Sequence, residues 1–139
     1  MRDGCGRTID YLRLSVTDLC NYRCRYCMPA EGVAKRCHGD ILSVEECVEI
    51  GAAAVRCGVR KIRLTGGEPL VRRGLLDICR GLRALPGLEE LCLTTNGSLL
   101  AQMAAPLRKA GTDRLNVSLD TLRPDRFAAM TRRGRLEGT

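Results

Sequence analysis

Strict alternation of apolar and polar residues marks four short stretches of this chain, and helical spacing marks the segments between them. Residues 10–17, DYLRLSVT, put Leu12, Leu14 and Val16 on one side and Arg13, Ser15 and Thr17 on the other, the period of a β-strand. The pattern returns at 60–65, with Ile62 and Leu64 against Arg63 and Thr65, and at 90–94, with Leu91 and Leu93 against Cys92 and Thr94. It returns again at 114–119, with Leu115, Val117 and Leu119 against Asn116, Ser118 and Asp120. Ser43-Val-Glu-Glu46 is a capping-box pattern that opens a helix running to about Cys57, with Val44, Val48, Ala52 and Val55 as its apolar stripe and Gly58 as its stop. Leu75, Ile78, Cys79 and Leu82 mark a second helix, ended by Pro86-Gly87. A third follows Asn96-Gly97-Ser98 and contains Pro106, which should kink or restart it. Pro124 suits the first turn of a fourth.

The predicted order, β-α-β-α-β-α-β-α, implies an α/β fold in which helical crossovers join parallel strands. Parallel strands covered on both faces read as continuous apolar runs, and these four do not. A curved sheet resolves the difference: the apolar side packs on the helices, and the polar side, with Arg13 and Arg63, lines a concave space suited to an anion. A plain solvated sheet face is the alternative. In barrels built this way the chemistry sits at the C-terminal ends of the strands. Here those ends lead into a cysteine-rich loop, Gly66-Gly67-Glu68-Pro69, Thr94-Thr95-Asn96-Gly97 and Ser118-Leu-Asp120.

The cysteine loop, Cys20-Asn-Tyr-Arg-Cys24-Arg-Tyr-Cys27, holds three thiols at C-x3-C-x2-C spacing. Soft sulfur donors select iron–sulfur clusters or zinc. A [4Fe–4S] cube takes one thiolate per iron, so three close ligands leave one iron open to a chelating amine and carboxylate. Zinc with Cys37 or His38 as a fourth ligand remains an alternative, as does a chance spacing. The lone histidine, His38, on a loop with Lys35 and Arg36, reads first as an ordinary surface residue.

The net charge of +7 calls for an anionic partner. Basic and aromatic residues do not interleave, and with one Phe, three Tyr and no Trp there is little on which bases could stack; a phosphorylated small molecule therefore fits better than nucleic acid. Nine cysteines, an odd number spread through predicted helices and strands, argue against a secreted disulfide framework and for a reducing cytoplasm. No apolar leader and no membrane-length apolar run is visible.

Cys-x3-Cys-x2-Cys after the first strand and Gly-Gly-Glu-Pro after the second resemble the radical S-adenosylmethionine (SAM) superfamily. The longer strings LRLSVTDLCNYRCRYCMP, KIRLTGGEPLVRRG, LTTNG and DRLNVSLDTL resemble its GTP 3′,8-cyclase family, of molybdenum-cofactor biosynthesis, from about Thr8 onward. The resemblance implies a partial parallel (βα) barrel, about four βα units of a longer one. It implies a lyase that converts GTP to a 3′,8-cyclised intermediate through a 5′-deoxyadenosyl radical. Cys20, Cys24 and Cys27 would hold the [4Fe–4S] cluster. Tyr26, Gly67 and Ser118 would contact S-adenosylmethionine, and Arg13, Arg63 and Thr94 would contact GTP. A low-potential electron donor is implied, with no nucleic acid or membrane partner, and a homodimer is compatible. Family members are longer, with a second cysteine set for a second [4Fe–4S] cluster and a Gly-Gly tail. Residues 1–139 are therefore expected to be an N-terminal part of the core domain, with the cluster loop at 18–30 and doubtful activity of their own. Another radical SAM activity, or a zinc-stabilised basic nucleic-acid module, are the rival readings.

Overall fold

The computed structural model describes residues 2–34 and 38–139; Lys35, Arg36 and Cys37 lie outside the described residues, as does the side chain of His38. Four strands, β1 (Tyr11–Ser15), β2 (Lys61–Thr65), β3 (Glu90–Thr95) and β4 (Arg114–Val117), form one sheet in the order β1-β2-β3-β4. All three pairings are parallel. Helices α1 (Val44–Arg56), α2 (Leu75–Arg83) and α3 (Leu100–Lys109) connect the strands, and α4 (Pro124–Thr131) follows β4. The alternating α/β order predicted from periodicity is therefore the order found, as four βα units of a parallel, barrel-type sheet.

The local signals act as their chemistry requires. Ser43 Oγ accepts from the Glu46 N–H at 3.1 Å while Glu46 Oε2 accepts from the Ser43 N–H at 2.7 Å, the reciprocal capping box that starts α1. The core is one cluster between sheet and helices: Leu14, Ile62, Leu64, Leu91 and Leu93 pack against Leu75, Ile78 and Leu82 of α2 and Leu107 of α3.

Three expectations need correction. The stripe of α1 is rotated: its fully buried residues are Cys47 and Gly51, and the predicted Val44 and Val55 flank them. The reason is close helix packing, since a Cβ on Gly51 would fall 2.2 Å from Leu82 Cδ2 of α2. Helix α3 runs through Pro106 as one element, so of the two expected outcomes, a kink or a restart, the restart does not occur. The apolar side of the β4 segment is not covered by a helix, with Leu115 36%, Val117 44% and Leu119 42% exposed. Helix α4 packs elsewhere, setting Phe127 edge-on against Tyr22 of the cysteine loop, with ring centroids 6.0 Å apart. No helix among the described residues is long and apolar enough to cross a membrane.

Candidate functional site

All four strands point the same way, so the segments that leave their C-terminal ends meet on one side of the sheet. The chain leaving β1 stays paired to the turn after β2: the Gly67 N–H donates to Thr17 O at 2.8 Å and the Glu68 N–H to Leu19 O at 2.8 Å. This contact needs glycine, because a Cβ on Gly66 would lie 2.4 Å from Thr17 O and one on Gly67 2.3 Å from Leu19 O. The turn therefore fixes where the cysteine loop begins.

Glu68, 1% exposed, ties that turn to the loop after β3. Its Oε1 accepts from the Thr95 hydroxyl at 2.7 Å and the Leu70 N–H at 3.0 Å, and its Oε2 accepts from the Asn96 N–H at 2.6 Å. The connection continues to the cysteine loop through Asn21. Its amide donates to Ser98 Oγ at 2.8 Å, and its Oδ1 accepts from Asn96 Nδ2 at 2.8 Å. Three loops that are remote in sequence are thus held by one chain of hydrogen bonds.

Within the cysteine loop, the Cys27 N–H (2.9 Å) and the Met28 N–H (3.0 Å) both donate to Cys24 O, closing a turn between the second and third cysteines. Cys20 Sγ accepts from the Tyr22 N–H at 3.4 Å. Burial pushes the thiols of Cys20 and Cys24 up, and the charge each neighbouring cysteine would carry pushes further in the same direction. Cys27 is exposed, while Cys20 and Cys24 are half-buried. Among the described residues no three His, Cys, Asp or Glu side chains converge as the ligands of a single ion. A cube, with one thiolate on each of three irons, does not require that convergence, whereas a zinc site does. The donor set fits the cluster in its chemistry: three soft thiols on one loop, with a backbone N–H on the Cys20 sulfur. Tyr26 reaches across to the segment after β4, its hydroxyl donating to Asp120 Oδ2 at 2.6 Å, and this bond raises the phenol well above its ordinary range.

The polar face of the sheet carries the basic residues in register: Arg13 beside Arg63, Arg63 beside Cys92, and Cys92 beside Arg114. Arg63 donates from Nε to the Tyr11 hydroxyl at 2.7 Å and from Nη1 to Thr94 Oγ1 at 3.3 Å. Glu90 accepts Lys61 at 2.7 Å and Arg114 at 2.8 Å. Among the described residues Arg13 makes no hydrogen bond or ion pair. Arg13, Arg63 and Thr94 thus share this face as predicted. Cys20, Cys24, Cys27, Tyr26, Gly67 and Ser118 belong to the segments beyond the strand ends, where the Ser118 N–H is bonded to Thr95 O at 2.8 Å. Sequence reasoning missed Glu68, Asn21, Asn96 and Lys61. An acid placed between Gly67 and Pro69 was a usable signal for the first; Lys61 lies at a strand start whose alternation already put it on the polar face.

The family model described as the radical SAM superfamily matches residues 14–138. The chain is 61% identical over 135 residues to a protein of Geobacter sulfurreducens named GTP 3′,8-cyclase, an alignment covering 97% of this chain and 41% of that protein. Proteins of the same name from Peptoclostridium acidaminophilum and Pelotomaculum thermopropionicum are each 56% identical, over 97% and 99% of this chain and 42% of each relative. The chain thus spans about two fifths of the length of the curated relatives it matches.

Proposed function

The chain belongs to the radical SAM superfamily, and we propose that its activity is that of a GTP 3′,8-cyclase, forming the cyclised intermediate of molybdenum-cofactor biosynthesis. One structural observation carries the substrate assignment. Arg13 has no partner among the described residues and stands in register beside Arg63, on strands whose C-terminal ends lead into the cysteine loop and the Gly-Gly turn. Guanidinium groups presented in that way recognise phosphate through paired N–H donors.

In this reading Cys20, Cys24 and Cys27 would hold a [4Fe–4S] cluster, and Tyr26, Gly67 and Ser118 would contact S-adenosylmethionine. When bound, cluster and S-adenosylmethionine supply one-electron cleavage and hydrogen abstraction, which no side chain supplies. The chain's own work is placement. The Gly67 and Glu68 N–H groups, bonded to Thr17 O and Leu19 O, hold the Gly-Gly turn against the start of the cysteine loop. The Tyr26 hydroxyl, bonded to Asp120, fixes its ring beside the thiols. Arg13 and Arg63 take the phosphates of GTP, and Thr94 both anchors Arg63 and faces the nucleotide. A low-potential electron donor and reducing cytoplasmic surroundings go with this chemistry, since free thiols persist there. The uncovered apolar side of β4 is compatible with a homodimer.

The test is anaerobic reconstitution with iron and sulfide, followed by GTP titration in a calorimeter. Iron–sulfur absorbance and a reduced electron paramagnetic resonance (EPR) signal that changes on adding S-adenosylmethionine are expected. Arg13→Ala should weaken GTP binding roughly 10- to 100-fold, the loss of one or two charge-assisted hydrogen bonds. A colourless protein that takes zinc instead would favour the basic zinc-module reading, and cluster loading without GTP binding would favour another radical SAM activity.

A further inference from the structure

Arg132 ends α4 with φ 60, the one non-glycine residue with positive φ among those described. A helix stop of this kind is normally left to glycine, because a Cβ is strained there. What the strained backbone delivers is the side chain. Arg132 Nη1 donates to Arg23 O at 2.9 Å and to Met28 O at 3.0 Å, carbonyls that flank Cys24 and Cys27 on both sides. From within the loop, Arg23 Nη1 donates to Cys20 O at 2.5 Å and to Tyr22 O at 2.8 Å. Two guanidinium groups therefore collect four carbonyls of the 20–28 segment. The main chain adds to the tie, with the Arg23 N–H on Thr131 O at 3.0 Å and the Arg25 N–H on Met130 O at 2.9 Å. Carbonyls held by guanidinium groups are kept from turning their negative ends toward the sulfurs.

We propose that Arg132 is a positioning residue for the cysteine loop: from a strained helix end its guanidinium fixes the segment that carries Cys24 and Cys27 and adds positive charge beside them. The proposal rests on the reading of that loop as a cluster site. An iron–sulfur cluster held by three thiolates is anionic, and nearby positive charge and outer hydrogen bonds raise its potential and slow its loss.

The experiment compares the parent with Arg132→Gly and Arg132→Lys. Glycine removes the guanidinium and the backbone strain together, so the iron-free variant should melt no lower than the parent by circular dichroism. Hydrogen exchange of the iron-free protein should nevertheless quicken at the amides of 20–28 while those of β2 and β3 keep their protection. After anaerobic reconstitution, chelator-driven iron loss from Arg132→Gly should be roughly tenfold faster, and its EPR-monitored midpoint should be more negative. Lysine keeps the charge without the planar fork, so it should restore the midpoint more than the retention. Parent-like exchange in 20–28, or parent-like iron loss and midpoint in Arg132→Gly, would overturn the proposal. So would a variant whose melting falls in step with its exchange, which marks a merely structural residue. A parent that takes up no iron would defeat the cluster reading itself, a different result from a parent that loads and a variant that loads equally well.

Discussion

Glu68→Gln tests the tie between the loops with the least change of shape. The carboxylate is fully enclosed and accepts three donors, two on Oε1 and one on Oε2. An amide can mimic only one of the oxygens. With its NH2 at the Oε1 position it opposes the Leu70 N–H and a Thr95 hydroxyl that already accepts from the Gly97 N–H at 3.1 Å. With its NH2 at the Oε2 position it opposes only the Asn96 N–H, so that orientation is less costly. One charge-assisted bond is then lost and one buried donor faces another donor. Each is worth about 1–3 kcal/mol, and together, since they overlap, about 3 kcal/mol. With a urea m-value of about 1.5 kcal/mol per molar, the midpoint should fall by about 2 M. The assay is equilibrium urea unfolding of the iron-free protein followed by circular dichroism. Thr95→Val, which removes one of the three donors, should cost roughly 1 kcal/mol in the same assay. A Gln variant within about 0.5 M of the parent midpoint would show that Glu68 does not hold the loops, because no arrangement of a buried amide there satisfies all three donors.

Cys20→Ala, Cys24→Ala or Cys27→Ala should each abolish iron–sulfur absorbance after reconstitution, whereas Cys57→Ala or Cys92→Ala should leave it; the reverse pattern would remove the cluster assignment. Arg63→Ala should weaken GTP binding in calorimetry while S-adenosylmethionine still perturbs the reduced EPR signal, since its partners are Tyr11 and Thr94 rather than the cysteine loop. Burial raises the thiols of Cys47, Cys79 and Cys92 from 9.0, so above about pH 9 the unfolded chain has lost protons that the folded chain retains. Stability is therefore full below that pH and falls as pH rises through the folded values, and the urea midpoint of the iron-free protein should drop between pH 9 and 10 but not between 7 and 8. Val117, 44% exposed on edge strand β4, should promote self-association, so Val117→Lys should lower the concentration-dependent mass seen by light scattering.

The sequence disclosed the elements because each is encoded locally. Alternation over five residues fixes which side of a strand Arg63 occupies, and Ser43 and Glu46 need only each other to start α1. The C-terminal placement of the cysteine loop and the Gly-Gly turn followed from strand direction alone. What stayed hidden depends on contacts across long separations. Glu68 meets Thr95 and Asn96 only because the sheet sets β2 beside β3, and Arg132 meets Arg23 only because α4 leaves β4 to pack on Tyr22. Helical periodicity in α4 does not say which surface its apolar side meets, so the uncovered side of β4 could not be read from it. The buried side of α1 was misread for a related reason. Hydrophobicity favoured valines, but the closest approach to α2 falls where Gly51 leaves room for Leu82.

The charge pattern of the polar face bears on whether it is an anion site, as proposed, or an ordinary wet surface. Arg13, Lys61, Arg63 and Arg114 stand on three adjoining pairings with Glu90 as their acidic neighbour, four cations against one carboxylate. Lys61, with help from Arg114, holds Glu90 below the usual carboxylate range, so that carboxylate stays charged and engaged with those two cations. Arg63 is held by two hydroxyls, which orient a guanidinium without neutralising it. Arg13 is held by nothing among the described residues. Like charges in register across strands repel, and a solvated face gains nothing from placing them so. An anion with several negative oxygens would convert that repulsion into binding beside Arg13 and Arg63, which form no ion pair with a carboxylate among the described residues. The same two arginines lie on β1 and β2, the strands whose ends carry the cysteine loop and the Gly-Gly turn. In the proposed reading, a nucleotide triphosphate anchored on them would lie on the strands from which the cysteine loop and the Gly-Gly turn depart.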